Sequence, residues 1–229
     1  MTTPITRAAA SAAVEHIGWR YLLGAYLTSV AVDGLNRAGR VVATAAAACG
    51  ADADAHLRVD VRSDRVELTL QDSDTAAVTA RDIELAFGVT DAIRDLGLDT
   101  VPAVPSVRPV QTLEVAIDAL DIAAIRPFWK AVLAYVDEPG HSGPQDPLVD
   151  PVRQGPALWF QQMDVPRPQR NRIHFDITVA HDEAQRRIAE ALAAGGTMVS
   201  DARARAFWIL ADAEGNEICV CTWQDRDPS

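Results

Sequence analysis

The 229-residue chain is 48% hydrophobic and 23% charged, a balance that suits a globular protein with one large core or two of about a hundred residues each. A net charge of −11 and a pI near 4.8 set up a field that repels phosphate backbones and anionic membranes, which argues against nucleic acid and membrane partners. No apolar run reaches the roughly 20 residues that span a bilayer, and three cysteines are too few for a disulfide framework, so a reducing cytoplasm is expected.

The Ala-rich start is interrupted by Glu15 and His16 and lacks a basic head, so no secretion signal is expected. "TRAAASAAVEHIG" predicts a helix closed by Gly18, and "WRYLLGAYLTSVAV" a long apolar strand or strand pair. "DGLNRAGRVVATAAAACG" places Leu35, Val41, Val42 and Ala45 on one helical side and stops at Gly50. "LRVDVRS" and "RVELTLQ" alternate with period two around a tight turn, as a half-buried hairpin does. "VTARDIELAFGVTDAIRDLGL" is amphipathic, with Thr79 and Asp82 spaced as a capping box.

Prolines 102, 105 and 109 then crowd a segment that resists helix and central strand, and a semi-extended linker is expected over residues 99–110. It separates a first domain, residues 1–98, from a second, residues 111–226. In the second, a strand–helix–strands unit occurs twice, with Glu114 and His174 about 60 residues apart at the two first strands. Two copies of one such unit pack face to face and leave a cleft between their sheets. The fold class read from this order is α+β, a small antiparallel-sheet domain followed by paired βαβββ modules.

Two resemblances follow from quoted stretches. "LDIAAIRPFWKAVLAY", "NRIHFDITV", "AGGTMV" and above all "LADAEGNEICV" resemble the glyoxalase-like, or vicinal oxygen chelate, superfamily over roughly residues 110–225. That resemblance implies a half-open barrel whose metal ligands, where present, come from two strand positions in each module. Carried over, the positions are Glu114, Gln161 or Gln162, His174 and Cys219. Gln is a weak ligand and a small thiol is at home in a core, so a divalent metal is disfavoured and no cofactor is expected. Glu114, Trp159, Gln161, His174, Trp208 and Cys219 are the candidate ligand-binding residues. For His174 the roles left open are metal ligand, polar or acid/base group of a pocket, and hydrogen-bonded sheet residue. Trp159 and Trp208 sit on opposed hairpin strands, so either one can face the cleft.

Residues 10–97 resemble the pterin-4a-carbinolamine dehydratase family. The resemblance rests on Gly18-Trp19 before a strand and on "AHLRVDVRSDRVELTLQDSDTAAVTARDIELA", in which Val66–Leu70 and Thr79-x-x-Asp82-x-x-Leu85-Ala86 fit without a gap. It implies elimination of water from a 4a-hydroxy-tetrahydropterin by histidines acting as general acid and base. Counting back from Val66, the family's His-His-Pro falls on Ala55-His56-Leu57 and its third histidine on Ser73, so one of three is present. The candidate catalytic residues are His56, Ser73 and Asp72. The first functional expectation is a lyase of hydro-lyase type. The alternatives are a metal-independent protein that binds or modifies a small molecule in the glyoxalase-like cleft, and a non-catalytic regulatory or interaction protein. The expected ligand is a pterin or another planar heterocycle, and the resemblance implies a homo-oligomer.

Overall fold

A computed structural model describes residues 5–105, 107–166 and 173–225. The predicted strand start at Arg172 and the predicted domain end at Arg226 lie outside the described residues. The chain divides into two compact units, Met1–Thr112 and Leu113–Ser229, and its class is the expected α+β. No helix among the described residues is long and apolar enough to cross a membrane.

In the first unit, helix α1 (Arg7–Val14) starts at Thr6, whose hydroxyl accepts the Ala9 N–H. The predicted long apolar run is a hairpin, β1 (Arg20–Leu22) and β2 (Ala25–Ala31), turned at Leu23-Gly24 with both residues at positive φ. Helix α2 (Leu35–Cys49) and the short α3 (Ala53–His56) lead to β3 (Leu57–Val61) and β4 (Arg65–Leu70), which pair antiparallel in the expected hairpin. Helix α4 (Ala80–Asp95) opens with the expected capping box. The sheet runs β1-β2-β4-β3. Val66, Leu68 and Leu70 alternate inward from β4 onto Val41, Ala45, Leu85, Val89 and Ile93 of the helices, while β4's other side chains are only half-buried.

The segment expected to be linker begins as sheet. Thr100–Val101 form β5, paired with Ser29 and Val30 of β2. The reason is a buried hydroxyl chain. Thr100 donates to the Ile17 carbonyl at 2.7 Å and lies 3.3 Å from Thr90 Oγ1, which accepts the Trp19 indole N–H at 2.8 Å. Gly18 makes the close approach possible: its φ is +87°, and a Cβ there would lie 1.9 Å from the Thr100 carbonyl oxygen. Thr90→Val leaves the indole N–H buried and unpaired, a cost of about 2 kcal/mol. The urea midpoint of this unit should fall by roughly 1 M, and Thr90→Ser should recover most of the loss.

The second unit repeats one pattern. Its first module is β6 (Glu114–Ala119), α5 (Ile122–Leu133), β7 (Val136–Asp137), β8 (Leu148–Val149) and β9 (Ala157–Gln162), in sheet order β6-β9-β8-β7. The second is β10 (Phe175–Thr178), α6 (Ala184–Ala193), β11 (Thr197–Ser200), β12 (Phe207–Ala211) and β13 (Glu217–Cys221), in order β10-β13-β12-β11. In each, the first strand pairs parallel with the last. The modules share one core, in which Ile125, Phe128 and Trp129 of α5 meet Ile188 of α6 and Leu210, Ile218 and Val220 of the second sheet.

The "LADAEGNE" turn ties this core together. Buried Asp212 accepts the Trp129 indole N–H at 2.9 Å, the backbone N–H groups of Glu214 and Asn216, and the Asn216 amide. Glu214 reaches the start of α5, where its carboxylate accepts the Leu120 and Asp121 N–H groups at 2.8 and 2.6 Å.

Candidate functional site

His56 ends α3, and the capping box of α4 lies against it. Its Nδ1 is 2.8 Å from Asp82 Oδ1, while Asp82 Oδ2 accepts the N–H and the hydroxyl of Thr79, each at 2.7 Å. The Asp82 side chain is fully buried and that of His56 nearly so. Burial and three strong contacts fix the carboxylate, and the carboxylate fixes the imidazole. Sequence reading assigned Asp82 only the cap; the structure gives it both tasks.

The other two candidate catalytic residues share this corner but differ in kind. The Ser73 N–H donates to the Ala55 carbonyl, which brings the residue beside α3, yet its side chain is exposed. Asp72 forms a turn. One carboxylate oxygen accepts the Asp74 N–H, the Thr75 N–H and the Thr75 hydroxyl. Burial acts to raise its pKa, but these hydrogen bonds and nearby His56 outweigh it and hold the carboxyl below its ordinary range. Its Oδ1 is thus committed to the turn. Behind the corner lies Tyr26, fully buried, its hydroxyl without a partner among the described residues. Desolvation, then the charge of Asp82, push it up to about 12.

In the second unit the candidate ligand-binding residues fall on different surfaces. On β6 and β9 the parallel register pairs Ala116 with Trp159 and Asp118 with Gln161, so Glu114, Trp159 and Gln161 share one open face, and all three are exposed. The register also separates the two glutamines. Gln162 spends its amide on the carbonyls of Leu120 and Met163, leaving Gln161 on the face of Trp159. Trp208 is a correction: it points into the core shared by both modules, because β12 alternates Trp208 and Leu210 inward with Phe207 and Ile209 outward.

The outward side of the second sheet holds a hollow of about 250 Å³, lined by His174, Asp176, Phe207, Ile209, Glu217, Cys219 and Cys221. All seven come from the second module. The cleft expected between the modules is thus lined here by one sheet, with Glu114, Trp159 and Gln161 outside its lining. His174 and Asp176, two apart at the edge of β10, face the same way, and the register sets Asp176 beside Cys219. His174 Nε2 is 3.4 Å from Asp176 Oδ1. Burial first, then a hydrogen bond to Asp176, push the Cys219 thiol up to about 12. A metal held by one His/Glu-type donor at each of four corners does not fit this arrangement, since Gln161 and Glu114 stand apart from the hollow and Cys219 is a thiol.

Comparison with known proteins gives one family match and several likenesses among solved structures. Residues 114–221 match the family model described as glyoxalase-like domain. Among solved structures, a glyoxalase/bleomycin resistance protein/dioxygenase family enzyme from Burkholderia phytofirmans is 16% identical, covering 48% of this chain and 95% of that one at a TM-score of 0.35. The fosfomycin resistance protein FosX from Mesorhizobium loti is 8% identical, covering 50% and 92% at a TM-score of 0.39. A transcriptional coactivator/pterin dehydratase from Brucella melitensis is 22% identical, covering 39% and 98% at a TM-score of 0.35. No curated protein matches the chain. The paired modules of the second unit, from the start of β6 to the end of β13, span the residues that match the glyoxalase-like domain model.

Proposed function

We propose that the first unit is a water-eliminating enzyme of the pterin-4a-carbinolamine dehydratase type, with His56 as its proton-transfer group. The observation that carries this reading is the 2.8 Å contact between His56 Nδ1 and the fully buried Asp82 carboxylate. A histidine tethered at one nitrogen presents the other in a fixed direction, as proton transfer requires. In the reaction the C4a–O bond breaks, the N5 proton leaves, and the departing hydroxyl takes up a proton to become water. His56 Nε2 carries one of these transfers. Ala55 and Ser73 stand where the resemblance places histidines, so solvent carries the other.

Purified full-length protein should speed the decay of the 4a-carbinolamine's ultraviolet absorbance in stopped-flow, and His56→Ala should slow that decay by about 10²-fold or more. Absence of acceleration by the parent protein, or an unchanged rate in His56→Ala, would overturn the proposal.

A second reading has its own observation. The hollow beside β10 combines polar groups with Phe207 and Ile209, the mixture that fixes and encloses a small molecule. On this reading the glyoxalase-like domain binds or modifies such a ligand, and the first unit is its scaffold.

A further inference from the structure

Gln71 follows directly on β4 and is 5% exposed. A buried amide brings two N–H donors and an acceptor oxygen into the interior, and each is costly to leave unpaired. Here the donors and the oxygen are all used, and each reaches a different segment. Nε2 donates to the Gly24 carbonyl of the β1–β2 turn at 3.1 Å and to the Ala76 carbonyl of the 72–77 loop at 2.8 Å. Oε1 accepts from Arg58 of β3 at 3.1 Å.

The two carbonyls belong to backbone that needs holding. Leu23, Gly24 and Ala76 have φ of +44°, +80° and +51°, and Leu23 and Ala76 carry a Cβ in that left-handed region. The turn and the loop also touch, since a Cβ on Gly24 would lie 2.7 Å from the Ala76 carbonyl oxygen. The Gln71 amide bonds to both and keeps them in one arrangement.

The same residue reaches His56 through the main chain. The Gln71 N–H donates to the His56 carbonyl at 2.9 Å, and the Ser73 N–H donates to the Ala55 carbonyl at 3.0 Å. Asp82 therefore fixes the imidazole of His56, while the 71–73 segment fixes its peptide. A proton-transfer group needs both, because its second nitrogen has to meet the substrate within the length of a hydrogen bond.

We propose that Gln71 is a positioning residue for His56: its side chain ties the β1–β2 turn to the 72–77 loop, and the segment so anchored holds the peptide that carries the imidazole. This role rests on the reading of His56 as the proton-transfer group of the first unit. Gln71 itself touches no reacting atom.

Two variants of the full-length protein test it. Gln71→Met keeps the volume and removes all three side-chain hydrogen bonds, and Gln71→Glu keeps the acceptor for Arg58 but loses both donors. In stopped-flow decay of the 4a-carbinolamine, each should lower kcat by about tenfold, with KM changed by less than about twofold. In a His56→Ala background, Gln71→Met should slow the residual decay no further, because the imidazole it acts through is gone. Without substrate, long-range proton–nitrogen NMR spectra should show His56 as one tautomer in the parent, with Nδ1–H facing Asp82, and as a mixture in both Gln71 variants. The His56 signals are identified by their loss in His56→Ala. Parental kcat and parental His56 signals in folded Gln71→Met overturn the role. So does an equal loss of rate in the His56→Ala background, which marks a general loosening of the unit. If the parent protein does not speed the decay, the water-eliminating reading fails, and the imidazole spectra still decide the role of Gln71. A mixture in the variants then supports it and an unchanged tautomer overturns it. Where circular dichroism shows Gln71→Met unfolded, Gln71→Glu carries the same measurements.

Discussion

Asp212→Ala is expected to unfold the second unit under conditions where the parent protein is fully native, at a cost of about 3–5 kcal/mol. The side chain is 2% exposed and accepts four donors, the Trp129 and Asn216 side-chain N–H groups and two backbone N–H groups of the turn. Alanine removes every acceptor at once and leaves the indole N–H without a partner in the core. The loss also propagates, because the same turn places Glu214 against the first N–H groups of α5. Asp212→Asn, which keeps one oxygen, should cost less than half as much. Trp19 is the first unit's single tryptophan and the other four lie in the second, so tryptophan fluorescence during urea unfolding weights the second unit and reads this loss directly. An unchanged midpoint would show that the turn is held by other contacts.

Asp82→Ala should cost the first unit about 3 kcal/mol, the sum of a lost cap and of charge-assisted hydrogen bonds to Thr79 and His56. It should also suppress any turnover that depends on His56. The informative variant is Asp82→Asn, which retains the size and one acceptor oxygen. If Asp82 serves only as the helix cap, Asp82→Asn loses part of the stability and none of the rate. If it orients the imidazole, kcat falls about tenfold or more with little change in the melting midpoint. The two outcomes separate a positioning role from a structural one.

Local pattern carried most of the architecture. Period-two alternation in 57–61 and 65–70 and the Thr79/Asp82 spacing are decided by neighbours in sequence, and both elements form as read. The two βαβββ modules were visible for the same reason. Strand β5 was not, because Thr100–Val101 adjoins Pro102, and what draws it onto β2 is a hydroxyl chain to residues about 80 positions earlier. The second unit's site shows the same division. That His174 and Asp176 share a face follows from their spacing, but that Cys219 stands beside Asp176 depends on a parallel register set by packing between distant strands. The inward turn of Trp208 and the exposure of Glu114 likewise depend on which side of each sheet the shared core covers.

The pairing of Thr100 with β2 has a consequence for anyone cutting the chain in two. An excised fragment that stops at residue 98, where the amphipathic pattern ends, would lose the acceptor for one edge of β2 and the hydroxyl that caps the Ile17 carbonyl. A piece meant to keep this sheet whole must include Thr100 and Val101, so the proline-rich stretch opens as mortar.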